Sequence, residues 1–338
     1  MGFFFNFVFM NVILFDTNRD NYYPLSYTRP ISYFRVGILT IKEKWETYFK
    51  SVSVKTENYL STKFTCKVED DNLWVNSKII PSKSLVTELK NLRIGEALKN
   101  KDLVIAFRNK KFDLKKLNII ETHVPFESIE NLCDIFTLNG NEINNDFQKI
   151  CPLIDLKWQG NASNLNEIKK SNVQIGSYPI FVEKGAKLNQ SILNTSDGPI
   201  YIGKDAEIME GSVIRGPFAM LNNSVLKIGS KIYGATTIGP YCKVGGELNN
   251  SILFGYSSKA HDGFLGNSII GEWCNLGAGT NNSNLKNNYA DVKMWNYQTE
   301  GFKNTNLQFC GLIMGDHSKS AINTMFNTGT VIGVSANI

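Results

Sequence analysis

Several features that would point straight to a function are missing from this chain. No block of basic residues stands anywhere in its 338 residues, and the formal charge is only +5. That argues against nucleic-acid binding while leaving room for anionic small substrates. The six cysteines (Cys66, Cys133, Cys151, Cys242, Cys274, Cys310) are scattered and form no CxxC pair. They read as reduced thiols of a cytoplasmic protein, neither a disulfide framework nor a zinc site. Histidine is rare: His123, His261 and His317 are the full set and lie far apart. A three-histidine zinc centre needs two of its ligands closely spaced, so no metal ligand is assigned. Long apolar runs are absent too. The opening MGFFFNFVFM has no cationic n-region and no small-x-small cleavage site, and the apolar run breaks at Asp16, too short to span a bilayer. Asn6 stands where myristoylation would need Ser or Thr. No membrane partner is expected; Met10 reads as the natural start and Asn11–Asp16 (NVILFD) as the first buried strand.

What is present is a repeat. Ile202, Ile208, Ile214, Met220, Leu226, Ile232, Ile238 and Val244 fall at intervals of six. With 42% of residues hydrophobic, such a run has a chance of roughly one in a thousand. Four residues after the apolar position the side chain is mostly small: Ala206, Ser212, Ser224, Ser230, Thr236 and Cys242, with Phe218 the exception. Gly203, Gly239 and Gly245 follow the apolar residue directly. This is the hexapeptide pattern of a left-handed parallel β-helix, in which each hexad is one face of a triangular prism. The apolar residue points inward, the small one fits the corner, and stacked coils share one core.

Upstream, strand-like and helix-like stretches alternate. Val12–Phe15 and Val104–Phe107 read as buried strands; Ile41–Phe49 and Leu85–Leu98 read as helices, the second capped by Ser84 or Ser82. Alternation of this kind suggests an α/β sheet with ligands near the strand ends. The expected organisation is an α/β domain over 10–158, a linker over 159–172 holding a short helix at Leu165–Lys170, and the prism over 173–338. A polar, Asn-rich insertion at 281–306, with Trp295 and Tyr297 in it, breaks the sixfold rhythm and reads as a loop projecting from the prism. A fresh hexad begins at Ile332–Gly333, so the prism is expected to end without its usual cap.

The segment His261–Leu285, HDGFLGNSIIGEWCNLGAGTNNSNL, carries the chemistry. It resembles the acetyltransferase domain of the GlmU-type bifunctional N-acetylglucosamine-1-phosphate uridylyltransferase/glucosamine-1-phosphate acetyltransferases, whose pattern is close to H-L-T-Y-L-G…N-I-G-A-G-T-x-x-x-N-Y. The two align without a gap. The resemblance implies His261 as general base, Asn284 as an active-site amide, Asn275 as a sugar-phosphate ligand and Ala278 with Gly279 as acetyl-CoA contacts. Acetylating an amino sugar requires a free amine attacking a thioester, and an imidazole titrating near neutrality suits the proton transfer. Backbone N–H groups around Gly277–Thr280 are expected to bind the thioester oxygen as charge develops there. Phe264 replaces a family tyrosine and Leu285 follows Asn284 in place of another. Lys243 and Lys259 are the nearby candidates for gripping a phosphate, and His317 falls where the family lines its CoA channel. The resemblance also implies a homotrimer, because family sites form between neighbouring prisms and a closed ring completes three at once.

The N-terminal stretch FDTNRDNYYPLSYTRPISYFRVGILTIKEKW resembles a divergent form of the sugar-nucleotidyltransferase signature L-A-A-G-x-G-T-R-M…P-K. Arg19 matches the usual Arg and Pro30 the Pro. The phosphate-approaching glycines are absent, Ile31 replaces the Lys, and Arg29 is the adjacent charge. Together the two resemblances imply acetyl-CoA-dependent N-acetylation of a hexosamine 1-phosphate coupled to nucleotide-sugar synthesis, with Mg²⁺ if the first domain is active. Two alternatives stay open: a nucleotidyltransferase with a structural or regulatory prism, and a non-catalytic nucleotide-sugar-binding scaffold.

Overall fold

The computed structural model describes residues 8–151 and 157–338, so the reading of residues 1–7 lies outside it. Two compact units result. One comprises the chain up to Tyr22, Thr28–Phe34 and Leu39–Glu130; the other comprises Tyr23–Tyr27, Arg35–Ile38 and Asn131–Ile338.

The first unit is a six-stranded mixed sheet with short helices. Val8–Phe15 runs parallel to Phe49–Lys55 on one side and Asn72–Asn76 on the other. Leu103–Asn109 and Glu96–Asn100 extend the sheet antiparallel, and Asn118–Glu121 closes it parallel to its neighbour. Ile13, Phe15, Trp74, Ala97 and Phe107 are buried together on one face. Two expected helices prove shorter. The helix from Ile41 ends at Glu46, with Thr40 and Glu43 forming a capping box, and Phe49 already begins a strand. The second helix, Lys83–Lys90, is capped by Ser82 and stops at Asn91. Gly95 at φ +87° then turns the chain into the strand Glu96–Asn100.

The second unit is built on the β-helix. Its three faces are parallel sheets of six, nine and seven strands. All eight sixfold residues lie in one core cluster, each at most 2% exposed. The small residues do sit at corners: Ser212 Oγ donates to Met209 O at 2.9 Å and Ser224 Oγ donates to Leu221 O, which satisfies carbonyls that the turns would leave unpaired. Past Val244 the corners shorten and the inward positions become Leu248, Leu253, Lys259, Leu265 and Ile270, each paired with the inward residue one coil back. Trp158–Gly160 pairs with Ile180–Val182 as the first strand of the nine-stranded face, and the helix Leu165–Ser171 buries Ile168 over the open core.

Two additions complete this unit. The helix Asn139–Ile150 covers the nine-stranded face, burying Ile143 and Phe147, and Ala219 and Thr237 are sealed from solvent. The 281–306 stretch divides in two. Asn281–Asn282 pairs with Met325–Phe326 within the prism, and the excursion that follows contains a hairpin of Lys293–Asn296 and Gly301–Asn304. Trp295 meets Phe302 edge-on across that hairpin at 5.6 Å. Tyr297 stands edge-on to the stacked rings of Tyr23 and Tyr27, at 5.9 and 6.0 Å.

Candidate active site

His261 lies in the turn between the strand Ser258–Lys259 and the strand Phe264–Gly266. This is a prism corner. The side chain is exposed, and its ring makes no hydrogen bond to another described residue. The next coil's Gly277–Thr280 turn stacks beneath it, with Gly279 N donating to Asp262 O at 3.1 Å. Such close stacking requires glycine. Gly263 sits at φ +129°, and a Cβ there would fall 2.1 Å from Thr280 O.

The expected ring of amide donors is narrower in the structure. Gly277 N donates to Ser320 O, Gly279 N to Asp262 O and Thr280 N to Gly277 O, so these three serve the coil stacking. Ala278 N is the amide of this turn not engaged by another described residue, while Ala278 O accepts from Asn323 N at 2.7 Å. Of the Gly277–Thr280 amides, that of Ala278 is the one without a backbone acceptor among the described residues.

Lys243 and Asn275 stand on the face beside the His261 corner. Lys243 pairs with Ser258, and Ser258 with Asn275, so all three point outward in one column, the outer two about 10 Å apart. Lys259 does not join them. It is 2% exposed, inward-facing, and its ammonium donates to Gly245 O at 3.1 Å and His261 O at 2.6 Å. Burial pushes its pKa down to about 8, with Asp262 opposing. Its expected grip on a substrate phosphate is therefore corrected: the amine is enclosed and engaged from within.

Asn284 and His317 are not gathered around His261 within the chain. Asn284 lies at the other end of Phe264–Gly266, where its Nδ2 donates to Asn267 Oδ1 at 2.8 Å. The ring of Phe264 fills the strand between, packed over Gly266, where a Cβ would approach it to 2.4 Å. His317 occupies a different corner. It ends a ladder of Tyr241, Tyr256, Trp273 and His317, with centroids 5.2, 4.7 and 6.3 Å apart and planes within 8° of parallel. All four have positive φ, a backbone state uncommon for ring side chains. Sequence reasoning signals neither the ladder nor the inward Lys259.

In the first unit the candidate site is at the carboxyl ends of the parallel strands, where ligands of open α/β sheets bind. Asp16 follows the first strand and Thr56 the second. Arg19 joins them: its Nη1 donates to Asp16 Oδ2 and to Thr56 Oγ1, both at 2.7 Å, and its Nη2 to Tyr59 OH at 3.2 Å. Burial raises the Asp16 pKa, against the lowering effects of Thr56 and Arg19. Arg19, expected with Arg29 as a substrate-binding residue, is 7% exposed, and its guanidinium is engaged in this internal network. Arg29 is likewise buried. These donors do not fit a protein-held Mg²⁺, because a guanidinium already neutralises the carboxylate, and no group of three or more His, Cys, Asp or Glu suited to a metal occurs among the described residues. Among those residues no helix is long and apolar enough to cross a membrane.

The fold thus defines a nucleotidyltransferase-like α/β domain followed by a left-handed β-helix. Residues 12–151 match the family model of sugar nucleotidyl transferases; the N-terminal domain is similar to that family, and the match indicates a transferase. No curated protein matches the chain.

Proposed function

We propose that the protein is a two-site transferase of amino-sugar nucleotide metabolism of the GlmU type, whose prism N-acetylates a hexosamine 1-phosphate. The observation that carries this reading is the His261 corner: an exposed, uncommitted imidazole over a glycine turn with one unengaged amide, beside an outward column of Lys243, Ser258 and Asn275. In the reaction, the sugar amine attacks the acetyl-CoA thioester carbonyl. A C–N bond forms, the C–S bond breaks and CoA thiolate leaves. His261 accepts the amine proton and Ala278 N–H meets the carbonyl oxygen. Lys243 supplies charge for the sugar phosphate and Asn275 hydrogen bonds. Because Asn284 and His317 lie away from His261 in one chain, their roles in the amide and CoA contacts require a neighbouring prism. We therefore propose a homotrimer, with a sedimentation mass near three times 38.0 kDa.

The test is CoA release from acetyl-CoA and glucosamine 1-phosphate. His261→Ala is expected to lose about a hundredfold to ten-thousandfold in kcat without a change in melting temperature. No CoA release by the wild type would reject this reading. A second reading, nucleotidyl transfer with a structural prism, is favoured by the family match over residues 12–151. Pyrophosphate release that persists in His261→Ala would support it.

A further inference from the structure

An ammonium group has no ordinary place inside a β-helix. Lys259 occupies the inward column that otherwise reads Leu188, Ile208, Leu226, Val244 and Leu276, all within the core cluster. Burying a charge is costly unless it is hydrogen-bonded, and a methionine would fill the same column without that cost. The side chain does not reach solvent. Instead it bends to the corner and donates to the carbonyls of Gly245 and His261, which belong to successive coils. The His261 ring itself is held by no hydrogen bond among the described residues, so its direction is inherited from its backbone. That backbone is fixed below by Asp262 O accepting from Gly279 N; from inside, it is fixed by Lys259.

We propose that Lys259 is a positioning residue for His261, pinning the carbonyl of the imidazole-bearing residue from within the prism and so setting where the ring points. The catalytic consequence rests on the acetyltransfer reading above; the pinning does not. The lowered pKa of the amine agrees with an enclosed group held by carbonyls, not by a carboxylate.

The scarcity of histidine makes this testable. With three histidines in the chain, protein labelled with ¹³C at the imidazole Cε1 gives three assignable signals, that of His261 identified by its loss in His261→Gln. In Lys259→Met the His261 signal is expected to shift or broaden, while His123 and His317 keep theirs and the melting temperature does not fall. Acetyl transfer should lose about tenfold or more in kcat, with both KM values within about twofold. Lys259→Gln, which keeps a shorter uncharged donor, should perturb His261 less and serves if the Met variant fails to fold. A His261 signal superimposable on wild type in folded Lys259→Met overturns the proposal, as does one in Lys259→Gln if the Met variant does not fold. If the wild type transfers no acetyl group, the functional reading falls, and the spectra still decide this one.

Discussion

A buried amine with a depressed pKa changes how stability depends on pH, and Lys259 offers a clean case. Its folded-state pKa lies near 8, against an ordinary value of 10.5. Between those values the unfolded chain binds the proton and the folded chain does not, so stability rises with pH across that window and the buried charge costs most below it. Lys259→Met should therefore stabilise the protein by about 1 kcal/mol at pH 7, because relief of the buried charge's desolvation exceeds the loss of its two hydrogen bonds to backbone carbonyls. That gain should vanish by about pH 10, as urea titrations at the two pH values would show; a destabilised variant at pH 7 would contradict it. Arg19 presents the opposite situation. Removing its guanidinium in Arg19→Leu leaves the enclosed Asp16 carboxylate without its counter-charge, with Thr56 and Ile31 N still donating to it, at a cost of about 3 kcal/mol. Since burial already raises the Asp16 pKa, that loss should shrink as pH falls and the carboxyl protonates. A loss that stays constant down to pH 4 would refute the assignment. Neither role is legible in the sequence. Arg19 and Lys259 stand out there by their charge, and charge is normally directed at solvent or substrate; that both engage internal partners is a property of the packed structure.

At the level of elements, the repeat is readable because the corner imposes it: an inward apolar residue every sixth position and a small residue at the turn. It stops being readable where corners shorten. Leu253, Lys259 and Leu265 continue the spacing of six in a new phase, and once the phase is found the lysine stands out as the core position it is. The helix expected over Leu85–Leu98 fails for a related reason. Apolar spacing alone continues through Leu92 and Leu98, but Gly95 breaks the backbone and the apolar residues beyond it belong to a strand. Glycine also decides how firmly coils stack at the candidate site. Gly263→Ala must relieve both a φ of +129° and a 2.1 Å approach to Thr280 O, and is expected to cost at least about 2 kcal/mol. Gly229 has φ +66°, and a Cβ added there would have nothing within 4 Å, so Gly229→Asn should cost less than about 0.5 kcal/mol, since Asn tolerates that region. Equal losses for the two in urea unfolding would mean that stacking against the Gly277–Thr280 turn contributes nothing.

On the scale of the whole molecule, the β-helix unit is not one continuous piece of sequence. Its nine-stranded face is closed by Asn139–Ile150, and a buried knot ties that helix to the segment Arg35–Ile38. Asn139 Oδ1 accepts from Gly37 N at 2.7 Å and its Nδ2 donates to Ala235 O at 2.7 Å, while Thr237 Oγ1 lies 3.0 Å from Gly37 O. Ile38 N donates to Asp146 Oδ2 at 2.9 Å. Nothing in the hexads announces this, because the partners are more than a hundred residues apart in part and the polar groups involved look like surface residues until the helix covers them. Two consequences arise from the cost of leaving buried polar groups unpaired. Asn139→Leu should destabilise the full chain by about 2–4 kcal/mol, far more than its volume change would suggest. Residues 157–338 expressed alone would expose Ala219, Thr237 and the apolar surface beside them, all sealed in the full chain, and should aggregate or lack a cooperative melt. A fragment that melts cooperatively within a few degrees of the full chain would show that the prism stands on its own sixfold core, and that the knot at Asn139 is ornamental to its stability.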